Sequence, residues 1–150
     1  MRILVLNWQD YQNPQAGGAE IHLREIFSRI VARGHTVDLL CSAWENAPQR
    51  VNLGGIDVHR VGSRQTYPFL ARGYYADKLA ANNYDVIIED LNKVPLYTPL
   101  WGARKLVALV HHLFGSTVFR EAPLPLAAAV WLSERPIGAL YRKVPFQAVS

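Results

Sequence analysis

The residues of this 150-residue chain best suited to chemistry fall in three short segments. His111 and His112 follow an apolar run, where an imidazole can transfer a proton or hydrogen-bond a ligand. Equally, either ring can be satisfied by backbone alone. Neighbouring histidines on extended backbone diverge, and no cysteine or carboxylate stands at ligand spacing, so a metal site is not expected. Glu89-Asp90-Leu91-Asn92 closes a second apolar run. Adjacent strand side chains point to opposite faces, so these carboxylates do not form an acid/base pair by spacing. Asp90 projects into a cleft, or else Asp90 or Asn92 caps a following helix over 95–100. The third segment is Gly17-Gly18-Ala19-Glu20. Its glycines let backbone approach a ligand closely, and a helix starting near Ala19 favours an anion. It is neither a G-x-G-x-x-G fingerprint nor a P-loop, since no Gly-Lys-Ser/Thr follows. On the plainer reading the glycines make a strand-to-helix turn and Glu20 caps the helix electrostatically.

Regular elements must hold these segments in place. Residues 2–7 read as a buried strand, because their continuous apolar run suits a central parallel strand covered on both faces. A loop over 8–18 leads into a helix. Leu23, Ile26, Phe27, Ile30 and Val31 share one face of it, and Gly34 ends it. Further strands are expected over 36–42, over 56–61 near an edge, and over 85–89, 105–110 and 146–149. Residues 51–55 read as a turn and 69–82 as a helix. Residues 123–143 contain a helix bent near Pro136. Strands alternating with helices predict an α/β fold: a Rossmann-like parallel sheet with helices on both faces. In such a sheet, ligands bind at the carboxyl ends of the strands, where all three segments lie.

Composition sets the remaining bounds. Half the residues are hydrophobic and 19% charged, which describes a folded globular chain. A net charge of +4 favours anionic partners weakly, and its scatter gives no reason to expect nucleic acid. The single cysteine, Cys41, cannot close an intramolecular disulfide and suits a reducing compartment, so a cytoplasmic location is expected. The longest apolar stretch, residues 122–133, is too short for the roughly 20 residues that span a bilayer. The segment between Phe114 and Phe146 mixes aromatic and aliphatic residues with Arg120, Arg135, Arg142 and Lys143. It reads as core helix with solvated charges, or as a peripheral contact with the inner face of a membrane.

Together these pieces resemble the N-terminal domain of the family-four retaining glycosyltransferases of GT-B fold. The carriers are the opening strand, Gly17-Gly18-Ala19-Glu20, and Arg33-Gly34-His35-Thr36-Val37. Asp85-Val86-Ile87-Ile88-Glu89-Asp90 and Val110-His111-His112-Leu113-Phe114-Gly115 follow, then Ser133-Glu134-Arg135 and Val149-Ser150. The resemblance implies a two-domain enzyme in which residues 1–150 form the acceptor-side half and a donor-binding domain lies outside this chain. It implies a nucleotide-sugar co-substrate, a glycan, lipid-linked or small-molecule acceptor, and no metal or other cofactor. By the same resemblance His111 contacts the transferred sugar as the catalytic residue. Gly17, Gly18, Ala19 and Glu20 face donor phosphates and acceptor, and Asp90, Asn92 and His112 contact the acceptor. The family's basic pair and paired glutamates belong to the other domain. The abrupt end after a strand suggests a truncated chain, inactive by itself. The competing expectation is a non-catalytic Rossmann-like or flavodoxin-like binding module. Its first strand ends in Asn7-Trp8, without the phosphorylatable Asp arrangement of a receiver domain.

Overall fold

The structure is a computed structural model that describes residues 1–102 and 105–149. Seven strands form one sheet in the order β3-β4-β2-β1-β5-β6-β7. In chain order they are β1 (Arg2–Leu6), β2 (Thr36–Cys41), β3 (Arg50–Leu53), β4 (Ile56–Arg60), β5 (Val86–Leu91), β6 (Leu106–Val110) and β7 (Phe146–Ala148). Every pairing is parallel except β3 with β4.

β1 is central because its apolar residues serve both faces. Ile3 and Val5 pack against Leu23 and Phe27 of α1 (Gly18–Ala32), whereas Leu4 and Leu6 pack beneath Tyr67 and Ala71 of α2 (Tyr67–Tyr74). α2 continues through a π-helical turn, Tyr75–Leu79, and a 3₁₀ turn, Ala80–Asn82. Beyond β6 come the short α3 (Val118–Glu121), then α4 (Leu124–Glu134) and α5 (Ile137–Leu140). The break between α4 and α5 falls at Pro136, as Pro demands. No helix among the described residues is long and apolar enough to cross a membrane.

The expected Rossmann-like α/β sheet is present, and two local expectations need correction. Residues 51–55 are not simply a turn. Arg50–Leu53 is the antiparallel edge strand β3, closed onto β4 by Gly54-Gly55, whose φ values of 63° and 90° suit a two-residue hairpin. Only Leu53 of β3 is buried, so hydrophobic periodicity carried almost no signal there. Secondly, no helix spans 95–100, and only a 3₁₀ turn at Thr98–Trp101 forms, without a side-chain cap. Its backbone is held instead by Glu89, which accepts from the N–H groups of Leu96 at 2.6 Å and Thr98 at 3.2 Å.

A buried polar cluster lies away from the carboxyl ends of the strands. Asp38 accepts from the Tyr84 hydroxyl at 2.7 Å and lies 3.5 Å from the Arg2 guanidinium and 3.8 Å from His59. Burial raises its pKa, but the neighbouring His59, the hydrogen bond from Tyr84 and the Arg2 charge outweigh burial and hold it below the usual value. A depressed carboxylate stabilises the fold above its unfolded pKa of about 3.9, and that contribution fades as pH falls below it. The stability gap between wild type and Asp38→Asn in urea titrations should therefore be widest near neutrality and shrink below about pH 4. A gap independent of pH would refute this account.

Candidate active site

β1 connects through α1 to β2 on one side, while the chain returns through α2 to β5 on the other. The order therefore reverses between β1 and β5, and a crevice opens beyond their carboxyl ends. Asn7 leaves β1 there, Asp90 and Asn92 leave β5, and His111 follows β6.

These side chains form one hydrogen-bonded line. Asn7 Nδ2 donates to Gln9 O at 2.7 Å and to Glu20 Oε1 at 3.4 Å. Asn92 Nδ2 donates to Asn7 Oδ1 at 2.9 Å and to Asp90 Oδ2 at 3.2 Å. Both partners of that nitrogen are acceptors, so the orientation of each amide follows from the network. Asp90 Oδ1 lies 2.7 Å from His111 Nδ1, and His111 Nε2 lies 2.8 Å from His22 Nδ1 on α1. With Asp90 ionised, His111 donates from Nδ1, and its Nε2 accepts from His22. His22 Nε2 then remains as the open end of the line. A proton taken up at His22 Nε2 can be matched by transfer of Nδ1–H to His111, whose added charge rests against Asp90.

The electrostatics suit such a line. Burial raises the Asp90 pKa, the His111 hydrogen bond and charge oppose it, and the Glu20 charge adds to it. Lys93 is half-buried beside these groups. Burial lowers its pKa, with Glu20 and Asp90 opposing and Arg64 reinforcing. Asn92 Oδ1 and Gln9 Oε1 are buried acceptors with no donor among the described residues. Glu134, at the end of α4, accepts from the amides of Phe114 at 2.8 Å and Gly115 at 2.7 Å, which fixes the loop leaving His111.

The glycine segment starts α1 beside this line. Glu20 Oε2 accepts from Gly17 N–H at 2.7 Å, so Glu20 does secure the helix entry. The turn itself does not require glycine. Gly17 has φ −127°, ordinary extended backbone, and a Cβ at Gly18 would meet nothing within 4 Å. What the glycines provide is open access to the first-turn N–H groups, which no helical partner can satisfy.

The sequence-derived site residues thus divide. Gly17, Gly18, Ala19, Glu20, Asp90, Asn92 and His111 surround the crevice. His112 does not join them: it is exposed and stacks edge-on against Phe114, 4.5 Å between centroids. The suggested capping by Asp90 or Asn92 is replaced by the amide–carboxylate line, and the backbone over Leu96 and Thr98 is held by Glu89. Asn7, His22, Lys93 and Glu134 went unrecognised as site residues. His22 carried a legible signal, standing one helical turn beyond Gly18 on the face that starts at the crevice.

A salt bridge buried at both ends holds the loop after β1. Arg60 donates to Asp10 through Nε at 2.8 Å and Nη2 at 3.1 Å, and its guanidinium lies 4.2 Å from the Trp44 ring centroid. Cys41 sits beneath, its thiol pKa pushed well up by burial and by the Asp10 charge.

Comparison with known proteins identifies the family and the fold. The sequence profile of Glycosyltransferase Family 4 matches residues 16–145. The chain belongs to glycosyltransferase family 4. Its fold is similar to sucrose-phosphate synthase from Thermosynechococcus elongatus, with a TM-score of 0.56 at 14% identity over 99% of this chain. That alignment covers 47% of the synthase, so the chain spans about half the length of this relative. A looser likeness, TM-score 0.42 at 11% identity, relates it to a short-chain dehydrogenase/reductase from Burkholderia vietnamiensis, covering 99% of this chain and 83% of that one. No curated protein matches the sequence. The family-4 domain accordingly has the architecture of one Rossmann-like half of a GT-B enzyme.

Removing one partner of a buried ion pair strands the other. Asp10→Ala should cost about 3–5 kcal/mol in urea unfolding. A loss below about 1 kcal/mol would show that the pair does not secure the loop.

Proposed function

We propose that the family-4 domain is the acceptor-side half of a retaining glycosyltransferase. The enzyme would move a sugar from a nucleotide-sugar donor to a glycan, lipid-linked or small-molecule acceptor. The observation that carries this reading is the line Glu20–Asn7–Asn92–Asp90–His111–His22 across the crevice. It runs alongside the open N-terminus of α1. Sugar transfer needs a site that holds hydroxyl groups in a fixed orientation and one that stabilises a departing diphosphate. The line supplies the first, because its histidines are aligned by buried partners before any ligand arrives. The first turn of α1 contributes to the second through its N–H groups and dipole, with Lys93 nearby as a cation.

His111 acts in this scheme as an orienting group for the transferred sugar. Asp90 selects its tautomer, and Asn92 and Asn7 hold Asp90. His22 lets the line gain or release a proton at the mouth of the crevice. Gly17 and Gly18 admit the donor phosphates and acceptor, Ala19 presents the second N–H of the helix, and Glu20 keeps the helix entry in place. Asn92 Oδ1, a buried acceptor without a donor, suits an acceptor hydroxyl. The remaining positive charge for the diphosphate, and any metal-independent donor site, belong to a second domain. No resident cofactor enters this scheme. A cytoplasmic enzyme using cytoplasmic nucleotide sugars fits a chain with one buried, unpaired thiol.

Two measurements test the proposal. In the full-length protein, His111→Ala should lower nucleotide release from the preferred donor on the order of 10²-fold while leaving the circular dichroism spectrum in place, with a lowered unfolding midpoint because buried Asp90 loses its imidazole partner. Unchanged turnover would remove His111 from the chemistry. Residues 1–150 produced alone should show no acceptor-dependent nucleotide release across a panel of nucleotide sugars, and robust turnover would overturn the two-domain scheme.

A further inference from the structure

α4 breaks the ordinary rule for a surface helix. Its sequence from Leu124 to Glu134 is apolar but for Ser133 and Glu134, yet Ala127 is its only buried residue. Leu124, Leu126 and Leu132 are 72%, 57% and 60% exposed, and the other exposed positions, Pro125 and Ala129, are also apolar. At about 100° per residue, Leu124, Leu132, Ala129 and Leu126 sweep about 200° of the helix surface. A helix apolar all round belongs in a core or in hydrocarbon. Phe119 of the adjoining α3 extends the patch, at 43% exposed.

We infer that α4 is a lipid-docking helix that seats this protein on an anionic bilayer surface. The width of the apolar arc argues for lipid over a protein groove, which grips an amphipathic helix by one stripe of anchors. Acyl chains close round a helix without specific partners. The charges at its ends complement anionic headgroups. Arg120 is exposed on α3, which packs against α4, and Arg135 follows α4 with its guanidinium 3.8 Å from the Trp131 ring centroid. Trp131 in turn meets Phe119 edge-on at 6.2 Å, an amphipathic aromatic pair of the kind that settles at headgroup level. The acid of α4 itself, Glu134, is committed through both oxygens to the amides of Phe114 and Gly115, which leaves Glu121 as the nearby free carboxylate. At 11 residues α4 is about 16 Å long, so it lies in the interface and does not cross the hydrocarbon core. Its end is fastened to the loop that leaves His111, so a docked α4 holds that loop beside the bilayer surface.

The test uses the full-length protein, because exposure in this domain must survive there. Wild type and a Leu124→Glu/Leu126→Glu/Leu132→Glu variant are sedimented with phosphatidylcholine vesicles, with and without phosphatidylglycerol. These three side chains are exposed, and circular dichroism checks that the variant folds. Wild type should pellet with the phosphatidylglycerol vesicles, less so at high salt, and the variant should lose about tenfold in vesicle partitioning. Equal partitioning of the two proteins, or wild type remaining in the supernatant with both vesicles, overturns the inference. Two other outcomes also overturn it by naming a different cover. One is a self-associated wild type that the variant disperses without lipid. The other is a Leu126→Cys thiol unreactive towards maleimide in the lipid-free protein, which places the face inside the full-length fold.

Discussion

The arrangement of the crevice depends on one contact, the hydrogen bond between Asn92 Nδ2 and Asn7 Oδ1 across the point where strand order reverses. β1 is buried on both faces, so its continuation past Leu6 cannot rely on water and must satisfy its polar groups within the chain. Asn7 does so by donating towards Gln9 and Glu20, which leaves its carbonyl oxygen facing β5. Asn92 must then present its amide nitrogen, and the same nitrogen holds Asp90. Exchanging the Asn7 amide would set donor against donor, and exchanging that of Asn92 would set acceptor against acceptor. The α1 entry and the histidine line are thus registered to each other by two buried carboxamides.

The strength of sequence reading followed the strength of the physical pattern. β1, β2, β5 and β6 are buried enough that their apolar runs announced them, and α1 carries its apolar face at i, i+3, i+4, i+7. β3 buries one residue of four, so nothing in its composition marked a strand; the hairpin glycines were visible, but not what they joined. At the site, strand-end position alone singled out Asp90 and His111, and the glycine segment before α1 singled out Gly17 to Glu20. The partners of those residues come from tertiary approach. His22 meets His111 across 89 positions and Asn92 meets Asn7 across 85, and no local spacing encodes either encounter. His112 shows the converse, since adjacency to His111 placed it near the site in sequence but on the other face of the backbone.

The buried carboxylates distinguish this crevice from the other polar clusters. Burial is costly for each of them, and the chain offsets that cost in different ways. Glu89 accepts from Leu96 N–H, Thr98 N–H, the Thr98 hydroxyl and the Tyr141 hydroxyl, so its hydrogen-bonding capacity is filled by the chain itself. Burial still raises its pKa, with those donors opposing. Asp10 is closed off likewise by the fork of Arg60. Such groups are fixed and complete, and they build structure. Asp90 differs. Its charge is answered by an imidazole that passes the interaction to a second imidazole, and the second is only partly buried. A buried amide oxygen beside it, on Asn92, has no donor among the described residues. A polar network that closes on itself gains nothing from a ligand. One that is aligned at its buried end and open at its outer end lowers the ordering cost of whatever binds there, because the protein's share of that cost was met on folding.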